Sequence, residues 1–505
     1  MLKSIKSSVK DTIIYGIGNV AVKFVGFLLI PVFTNQKFFS IDDFGIIGIL
    51  DISALVLTAS MASALPQSLT RWFWDKEYVE NQKGIFFMTF ATQLIVSLTF
   101  CFILIPLSGK LSVLIFSKTD WSRVISYVIL ASAIQAINNI INTLMRLQSK
   151  SLLYTITNLL KLTSVLVLTL YFIISRRMGI EGIYLAQVIG NSMVVLILLA
   201  YTLKNSRVFF DKSIFKSMNM YGFPLFIGNV SAVLLNVVDR YSLNSFSLLK
   251  SVALYTLAFK ITSVLKLVIV DSMKLAIGPL MFKRLDTPDN KRFYSKVLLY
   301  SSFVLMFAIV AVSLFSLELT KVMTNSRDFW SSVVIVPILA MSIFFINLKD
   351  FSIYGLHFAK KTRIIGVIVV LSTLLSLMLN IVFIPLWGIS GTALATLLSQ
   401  FIYFLACYYF SQKVFFIPYE IRKIMIMFFC GAILSFSSLL INNLDLIPRL
   451  VIKTACLLSF PFILYLFRFY EPVELKSIRG FISKWSKIKN LKSNLNSLKG
   501  ITDEV

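Results

Sequence analysis

The 505-residue chain has few charged residues, and acids are the scarcer kind. Asp, Glu, Lys and Arg together make up 14% of it, whereas soluble globular domains average about 25%. With 4 Cys and 20 Gly it is neither a disulfide-bonded scaffold nor a collagen-like chain, and its 45 Phe exclude a disordered one. The single histidine, His357, has no plausible partner, which argues against a metal site or histidine acid–base catalysis.

Long apolar runs take the place of the missing charges. Hydrophobic residues make up 57% of the chain, and the mean hydropathy is +0.84. A membrane-spanning helix needs about 20 mainly apolar residues. The sequence therefore predicts an all-α polytopic membrane protein of about 14 transmembrane helices, at residues 12–34, 44–67, 84–107, 123–147, 152–174, 180–203, 221–243, 251–280, 297–318, 330–355, 363–386, 388–412, 421–443 and 448–470.

Basic residues are unevenly distributed among the predicted loops. With the N-terminus in the cytoplasm, the inner loops and termini hold roughly three times as many Lys and Arg residues as the outer loops. We therefore expect both termini to be cytoplasmic. The formal net charge of +26 then follows from membrane topology and predicts no nucleic acid partner. Because the connections are short, the function is expected to lie inside the bilayer.

Two sequence patterns recur at nearly the same offset and indicate an internal repeat. Tyr15-Gly16 recurs as Tyr221-Gly222, and block 178–186 (MGIEGIYLA) resembles block 387–395 (WGISGTALA). A repeat of six helices predicts two pseudo-symmetric bundles that enter the membrane in the same direction and enclose a central cleft. The predicted divisions are two six-helix bundles at 1–210 and 211–415, two C-terminal transmembrane helices at 416–470, and a basic cytoplasmic tail at 471–505. The tail is predicted to be an amphipathic helix on the inner leaflet, with a disordered tail as the alternative.

Ionisable residues within the predicted spans indicate the candidate site. Each costs about 2.5–3.5 kcal/mol near the bilayer centre, and such groups usually face a water-filled cavity. The acids are chiefly Asp51, Asp239, Asp271 and Asp350. The more numerous basic residues are Lys23, Lys161, Arg240, Lys260, Lys266, Lys274, Lys349 and Lys453. This surplus predicts a cationic cavity.

Helical geometry places many of these charges on common faces with amide side chains, at about 100° per residue. The predicted faces hold Asn19 and Lys23 in span one; Tyr154, Asn158 and Lys161 in span five; Asn229, Asn236 and Arg240 in span seven; and Lys260, Asp271 and Lys274 in span eight, with Lys266 further round. Two spans of each predicted bundle thus present a polar stripe. A shared substrate-binding cavity accounts for all four stripes.

Other roles stay open for some of these charges. Lys274 and Lys349 lie close enough to the cytoplasmic ends of their spans to reach the headgroups, and we interpret Lys453 as reaching the outer headgroups in the same way. Structural ion pairs are the alternative for two sets, namely Asp239 with Arg240 and Asp271 with Lys274.

The sequence predicts neither an enzyme nor a bound cofactor. It has no G-x-x-x-x-G-K-[ST] phosphate loop, and Gly16-x-Gly18 lacks the third glycine and the preceding strand of a nucleotide-binding loop. The cysteines fall in separate apolar segments without metal-ligand spacing, and we interpret them as packing residues: Cys101, Cys407, Cys430 and Cys456. We therefore expect a transporter with no catalytic residue and no metal.

Several short motifs are similar to those of one family of membrane transporters. They lie at 42–45 (DDFG), 71–75 (RWFWD), 221–224 (YGFP), 239–241 (DRY), 255–258 (YTLA), 379–385 (LNIVFIP) and 388–396 (GISGTALAT). On these motifs the chain resembles the polysaccharide transport family, the Wzx-type flippases of O-antigen and lipid-linked oligosaccharides. That family is part of the multidrug/oligosaccharidyl-lipid/polysaccharide (MOP) superfamily.

The resemblance implies two six-helix bundles plus two further helices. It implies transport of an undecaprenyl-diphosphate-linked oligosaccharide to the outer leaflet of the bacterial cytoplasmic (inner) membrane, for O-antigen, capsule or exopolysaccharide synthesis. The implied partners are this lipid-linked oligosaccharide and membrane lipids, with polysaccharide polymerase and chain-length proteins as further ones. Of the candidate site residues, only Arg240 lies in a motif that the chain shares with this family, the Asp-Arg-Tyr segment.

Charge complementarity gives the implied function a mechanism. A diphosphate diester carries about two negative charges, which Lys and Arg neutralise, and an inside-negative membrane potential favours its outward movement. Proton or sodium coupling through Asp239 or Asp271 is an additional source of energy. The alternatives are a multidrug antiporter of the same fold, which would need unpaired acids, a peptidoglycan-precursor flippase, and a membrane polysaccharide polymerase.

Overall fold

Apolar runs of this length satisfy their backbone N–H and C=O groups inside a bilayer by folding as helices. A computed structural model describes residues 27, 29–75, 77–246, 248–285, 287–472 and 474–476, and these residues contain helices and turns but no strand. The α-helices are α1 (Ile30–Phe33), α2 (Ile41–Ala62), α3 (Leu65–Phe73), α4 (Gln82–Leu104), α5 (Ser108–Phe116), α6 (Ser122–Leu147), α7 (Ser151–Leu170), α8 (Gly179–Ile197), α9 (Leu199–Lys204), α10 (Lys212–Leu235), α11 (Val238–Ser245), α12 (Leu249–Leu265), α13 (Ser272–Lys283), α14 (Asn290–Leu314), α15 (Ser316–Met323), α16 (Val336–Ser352), α17 (Tyr354–Phe358), α18 (Thr362–Val414), α19 (Ile421–Ile441) and α20 (Leu446–Leu466).

Twelve helical segments of the described residues are long and apolar enough to cross a membrane. One of them, α18, is broken at Gly388, whose φ of 54° lies in the left-handed region that suits glycine. It therefore corresponds to two predicted spans, 363–386 and 388–412. Predicted span 12–34 lies mostly outside the described residues. The predicted all-α polytopic fold is confirmed.

Two predicted spans are interrupted where they hold polar residues. Span seven divides into α10 and α11 at Asn236. Span eight divides into α12 and α13, joined by the π-helical residues Lys266–Asp271. A π-helix closes its hydrogen bonds over five residues and turns less per residue than an α-helix, so groups on either side lose their α-helical alignment. The predicted alignment of Lys260 with Lys274 on one face is therefore wrong.

Hydrogen bonds between segments that are far apart in sequence define the two ends of the helical bundle. At one end, Ser68 Oγ donates to Met218 O at 3.1 Å, and Gln148 Nε2 donates to Asn205 Oδ1 at 2.9 Å. We call this the basic end; it holds residues 65–75, 148–150 and 205–211, which the charge bias predicts to be cytoplasmic. At the opposite end, Gln36 Nε2 donates to Ser326 Oγ at 2.9 Å.

Helices α2 and α12 pack in close contact toward the opposite end. A Cβ added to Gly45 would lie 2.5 Å from Leu249 O, and one added to Gly48 would lie 2.5 Å from Thr256 Oγ1. Only glycine permits so close an approach. Since α2 belongs to the first predicted bundle and α12 to the second, this contact joins the two.

A buried ion cluster holds α20 against α15. Lys453 on α20 is fully buried, and its Nζ donates to Glu318 Oε2 and Asn442 Oδ1, each at 2.7 Å. Arg449 Nε lies 2.8 Å from Glu318 Oε1. The interpretation that Lys453 reaches the headgroups is wrong, because Glu318 supplies a counter-charge within the protein.

At the basic end, Lys296 on α14 ties down the segment that follows α20. Its Nζ lies 2.7 Å from Glu420 Oε1 and 2.5 Å from Glu471 Oε1. The hydrogen bond from Lys296 lowers the pKa of the Glu471 carboxyl. This contribution to stability is present above the ordinary pKa of glutamate and is lost as the pH falls through the lowered one. The predicted amphipathic tail lies, from residue 477 onward, outside the described residues.

We predict that Gly45→Ala destabilises the protein, because the added methyl group would collide with a backbone carbonyl that has no alternative rotamer. Overpacking of this kind costs about 1–3 kcal/mol, so the Tm of the purified protein should fall. Gly109→Ala on α5 is the matched control, because nothing lies within 4 Å of a Cβ there. A Tm for Gly45→Ala at or above that of Gly109→Ala would contradict the close contact of α2 with α12.

Candidate functional site

An intramembrane lysine on α7 is hydrogen-bonded to an amide side chain of α6. Lys161 lies about 15 Å along α7 from its first residue, which places it near the bilayer centre. Its Nζ donates to Gln135 Oε1 at 3.1 Å, and Gln135 Nε2 donates to Asn139 Oδ1 at 2.9 Å. Lys161 is half-buried, and no carboxylate of the described residues lies within 4 Å of it.

The polar face predicted for span five is the one that meets α6. Residues 151–170 form an uninterrupted α-helix, so Tyr154, Asn158 and Lys161 keep their common face. Asn158 Nδ2 donates to Tyr154 O at 2.8 Å and to Asn142 Oδ1 at 3.5 Å. Two helices thus build a continuous polar surface beside Lys161.

Five other intramembrane bases differ from Lys161 in having acidic partners. Each lies within 4 Å of a carboxylate. The pairs are Arg240 with Asp239, Lys260 with Asp51, Lys274 and Lys349 with Asp350, and Lys453 with Glu318. Much of the cationic surplus inferred from the sequence is therefore neutralised within the protein.

Arg240 and Asp239 are buried together on α11. Arg240 Nε lies 3.5 Å from Asp239 Oδ1, and its guanidinium lies 4.2 Å from the centre of the Phe259 ring. Tyr255 Oη donates to Asp239 Oδ2 at 2.5 Å and contacts Thr396 Oγ1 at 3.0 Å. Only 6% of Arg240 is exposed, so the structure gives it the surroundings of a structural ion pair.

A small cavity of about 40 Å³ lies beside this ion pair. Three of the predicted site residues, Asn236, Asp239 and Lys266, contribute to its wall, together with Thr396 and Gln400. One water molecule needs roughly 10–15 Å³ of such space, so the cavity can hold water or a small cation but no sugar. Within the described part of the chain, no group of three or more His, Cys, Asp or Glu is placed to hold a metal ion.

Lys260 lies at the contact between α12 and α2. Its Nζ is 3.7 Å from Asp51 Oδ2, and Asp51 Oδ1 accepts a hydrogen bond from Tyr184 Oη at 3.1 Å. The side chains of Lys260 and Asp51 are 22% and 38% exposed. This pair is therefore partly exposed to solvent, whereas the pair of Arg240 with Asp239 is buried.

The remaining predicted site residues are spread over the chain. Lys274 Nζ lies 3.5 Å from Asp350 Oδ2, so this lysine has an acidic partner on α16. Asp271 and Asn229 are both half-buried. Two further members of the predicted set, Asn19 and Lys23, lie outside the described residues.

Three amide residues of α6 belong to the site but are absent from the predicted set. Gln135, Asn139 and Asn142 recur at spacings of four and three residues, which puts them on one face of a helix. Because they are uncharged, a search for intramembrane charges does not find them. Their spacing inside an apolar span was the available signal.

We predict that Asp51 and Lys260 are energetically coupled. Asp51→Asn and Lys260→Met should each lower the Tm of the purified protein, and the double variant should lose less than the sum of the two. A coupling of about 1 kcal/mol is expected for a half-exposed pair, between the values for surface and buried pairs. Asp51→Asn combined with Lys413→Met, on another helix, should be additive. Additivity of Asp51→Asn with Lys260→Met as well would contradict the pairing.

The sequence is similar to known proteins over about half of its length. The profile of a family described as "Polysaccharide biosynthesis protein" matches residues 8–285. The uncharacterized membrane protein MJ1068 of Methanocaldococcus jannaschii is 21% identical over 275 residues, which cover 51% of this chain and 53% of that protein. The match thus spans about half the length of that relative.

The fold is similar to those of solved transporters over most of the chain. A lipid II flippase MurJ in an inward closed conformation superposes with a TM-score of 0.68 at 15% identity, covering 90% of this chain and 99% of that one. An inward-facing multidrug resistance MATE family transporter of the MOP superfamily superposes with a TM-score of 0.63 at 13% identity, covering 78% and 97%. At these identities the similarity shows the fold alone.

Proposed function

This chain belongs to the family of polysaccharide biosynthesis proteins, and from that premise we propose that it is a flippase for an undecaprenyl-diphosphate-linked oligosaccharide. The family and the structural neighbours are membrane transporters and flippases. The proposed transport runs from the inner to the outer leaflet of the bacterial cytoplasmic membrane, with both termini in the cytoplasm. Polysaccharide polymerase and chain-length proteins are the proposed partners downstream.

The observation that supports this substrate is that the polar surface around Lys161 carries a positive charge without a carboxylate partner in the described part of the chain. A lysine near the bilayer centre is costly unless water or a counter-charge neutralises it. The described part of the chain offers Lys161 amide groups but no carboxylate within 4 Å. A diphosphate diester, with about two negative charges, supplies the missing counter-charge, while neighbouring amides can hydrogen-bond sugar hydroxyls.

Alternating access is the proposed route across the membrane. The close contact of Gly45 and Gly48 with α12 holds the two predicted bundles together at the opposite end. Separation of that contact would expose the Lys161 surface to the outside, while the prenyl chain stays in lipid. An inside-negative potential contributes about 2.3 kcal/mol per charge per 100 mV to outward movement of an anion, so no ATPase is required.

Coupling to an ion is proposed for Asp239, with Asp271 as the second candidate. Asp239 borders a cavity that admits water or a small cation but no sugar. Protonation or sodium binding there would weaken the pair of Asp239 with Arg240. No organic cofactor is needed for this mechanism.

Two other functions are distinguished by charge and by substrate. A multidrug antiporter for organic cations would need unpaired acids, whereas Asp51, Asp239 and Asp350 are each paired with a base. A peptidoglycan-precursor flippase would use the same diphosphate chemistry, and the transport assay below separates it by its lipid.

We predict that Lys161→Met lowers the translocation rate at least tenfold in proteoliposomes, because the diphosphate loses its counter-charge. The assay follows the appearance of a polyprenyl-diphosphate-linked oligosaccharide at the outer surface, with and without an imposed membrane potential. Lys161→Arg should keep more activity, and Lys110→Met, at an exposed position on α5, should keep all of it.

Equal translocation rates for Lys161→Met and Lys110→Met would contradict a role for Lys161 in binding the diphosphate. Translocation of a peptide-bearing lipid II but not of the oligosaccharide lipid would assign the alternative flippase activity. Absence of translocation of either lipid by the wild type would contradict a flippase for diphosphate-linked lipids.

A further inference from the structure

A second cavity, of about 810 Å³, opens at the basic end of the helices. Four of its lining residues lie on one side of α3 and the turn that follows it: Gln67, Thr70, Arg71 and Trp74. Their spacing of three and four residues is that of one helical face. The volume falls within the range of about 300–1,000 Å³ that is typical of ligand-binding pockets.

Residues from two other helices complete the wall of this cavity. Arg146, in the last turn of α6, lies opposite the α3 face, and Tyr221 comes from α10. Tyr221 is held edge-to-face against Trp72, with ring centres 5.5 Å apart. A Cβ added to Gly222 would lie 2.9 Å from Ser68 Oγ, so glycine lets α10 approach α3. The segments 71–75 and 221–224, which are far apart in sequence, therefore meet at this cavity.

Both arginines are open to an anionic ligand. The Arg71 side chain is 61% exposed, and its contact with Asp75 at 3.6 Å is a surface ion pair worth at most about 1 kcal/mol. Arg146 is exposed and donates Nη2 to Thr143 Oγ1 at 3.0 Å, which leaves its other donors for a ligand. Trp74 is 58% exposed, so it presents a large aromatic surface at the same place.

A polar stripe on α6 connects this cavity to Lys161. It extends from Arg146 toward the bilayer centre and ends at Gln135, the hydrogen-bond partner of Lys161. Helical rise makes this stripe about 16 Å long. Its members, at spacings of three, four or one, are Gln135, Asn139, Asn142, Thr143 and Arg146. The cavity and the intramembrane lysine thus share one polar surface.

We propose that this cavity is the entrance site for a diphosphate ester that carries a sugar. Arg71 and Arg146 bind the diphosphate oxygens, because the planar guanidinium fork matches phosphate oxygens in two hydrogen bonds. Trp74 and Tyr221 pack against the sugar ring, to which they offer rigid apolar area. The inference rests on the proposed function and deepens it, since a sugar diphosphate is the headgroup of the proposed substrate. A soluble nucleotide sugar carries the same group.

Binding to the purified full-length protein in nanodiscs tests the site directly. The probes are a short-chain polyprenyl diphosphate carrying N-acetylglucosamine and, as the soluble source, UDP-N-acetylglucosamine. Arg71→Gln with Arg146→Gln should raise the Kd of the lipid probe at least tenfold, and Trp74→Ala should raise it severalfold. Arg422→Gln, at an exposed position of the N-terminal turn of α19, should leave the Kd unchanged.

Two features of the binding experiment separate a built site from a loss of structure. Arg71→Lys with Arg146→Lys keeps the charge but not the guanidinium fork, so the Kd of this double variant should lie between those of the wild type and the glutamine variant. Tighter binding of the lipid probe than of UDP-N-acetylglucosamine supports a lipid-linked ligand, and equal binding supports the site for the shared sugar diphosphate. A Kd for the glutamine variant within twofold of that of Arg422→Gln would overturn the proposal.

Translocation in proteoliposomes separates this inference from the proposed function. An entrance site predicts that the glutamine variant raises the KM for the lipid at least tenfold, with the maximal rate largely kept. Wild-type translocation that does not depend on Arg71 and Arg146 would overturn the entrance site and leave the flippase standing. Arginine-dependent binding without wild-type translocation would support the site and contradict the flippase.

Discussion

A charge inside a bilayer is costly unless an opposite charge or water neutralises it, and this constraint organises the interior of the protein. Arg240 with Asp239 and Lys453 with Glu318 are pairs with at least one buried partner, and they fix helices to their neighbours. Lys161 is arranged differently, because its hydrogen-bond partner is the amide of Gln135 and no described carboxylate approaches within 4 Å. A site that is left with a net positive charge fits an anionic ligand that is absent for part of the working cycle.

Two helix irregularities lie where the chain carries polar groups. The break at Asn236 separates α10 from α11 next to the buried pair of Arg240, and the π-helical stretch Lys266–Asp271 interrupts span eight. Both border the small cavity beside Asp239. The glycine contact of α2 with α12, in contrast, is tight and lies between two regular helices.

Sequence reasoning predicted the fold well because its signals are large and local. A span of about 20 apolar residues is recognisable without any neighbour, and the face of an uninterrupted helix such as α7 follows from its period. Pairing between helices is not local. The counter-charge of Lys453 is Glu318, 135 residues away, and that of Lys260 is Asp51 on α2, so the sequence overstated the cationic surplus.

The candidate site was predictable only in part, for the same physical reasons. Lys161 stood out because a charge in an apolar run is conspicuous, whereas the amides of α6 carry no charge and were not found by a search for intramembrane charges. The face of span eight was mispredicted because a π-helical turn shifts every later residue, and hydropathy carries no sign of such a turn. The meeting of segment 71–75 with Tyr221 depends on the packing of α3 against α10 and has no local signature.

The account depends most directly on whether Lys161 faces water that a diphosphate lipid can displace. Single cysteines at positions 135 and 161, in a protein without its four native cysteines, would be labelled with a membrane-impermeant thiol reagent. A cysteine at Leu160, an exposed apolar position of the same helix, is the control and should stay unlabelled. The account predicts labelling at 135 and 161 and protection by a polyprenyl-diphosphate oligosaccharide. Absence of labelling at 161, or labelling that the lipid does not reduce, would contradict it.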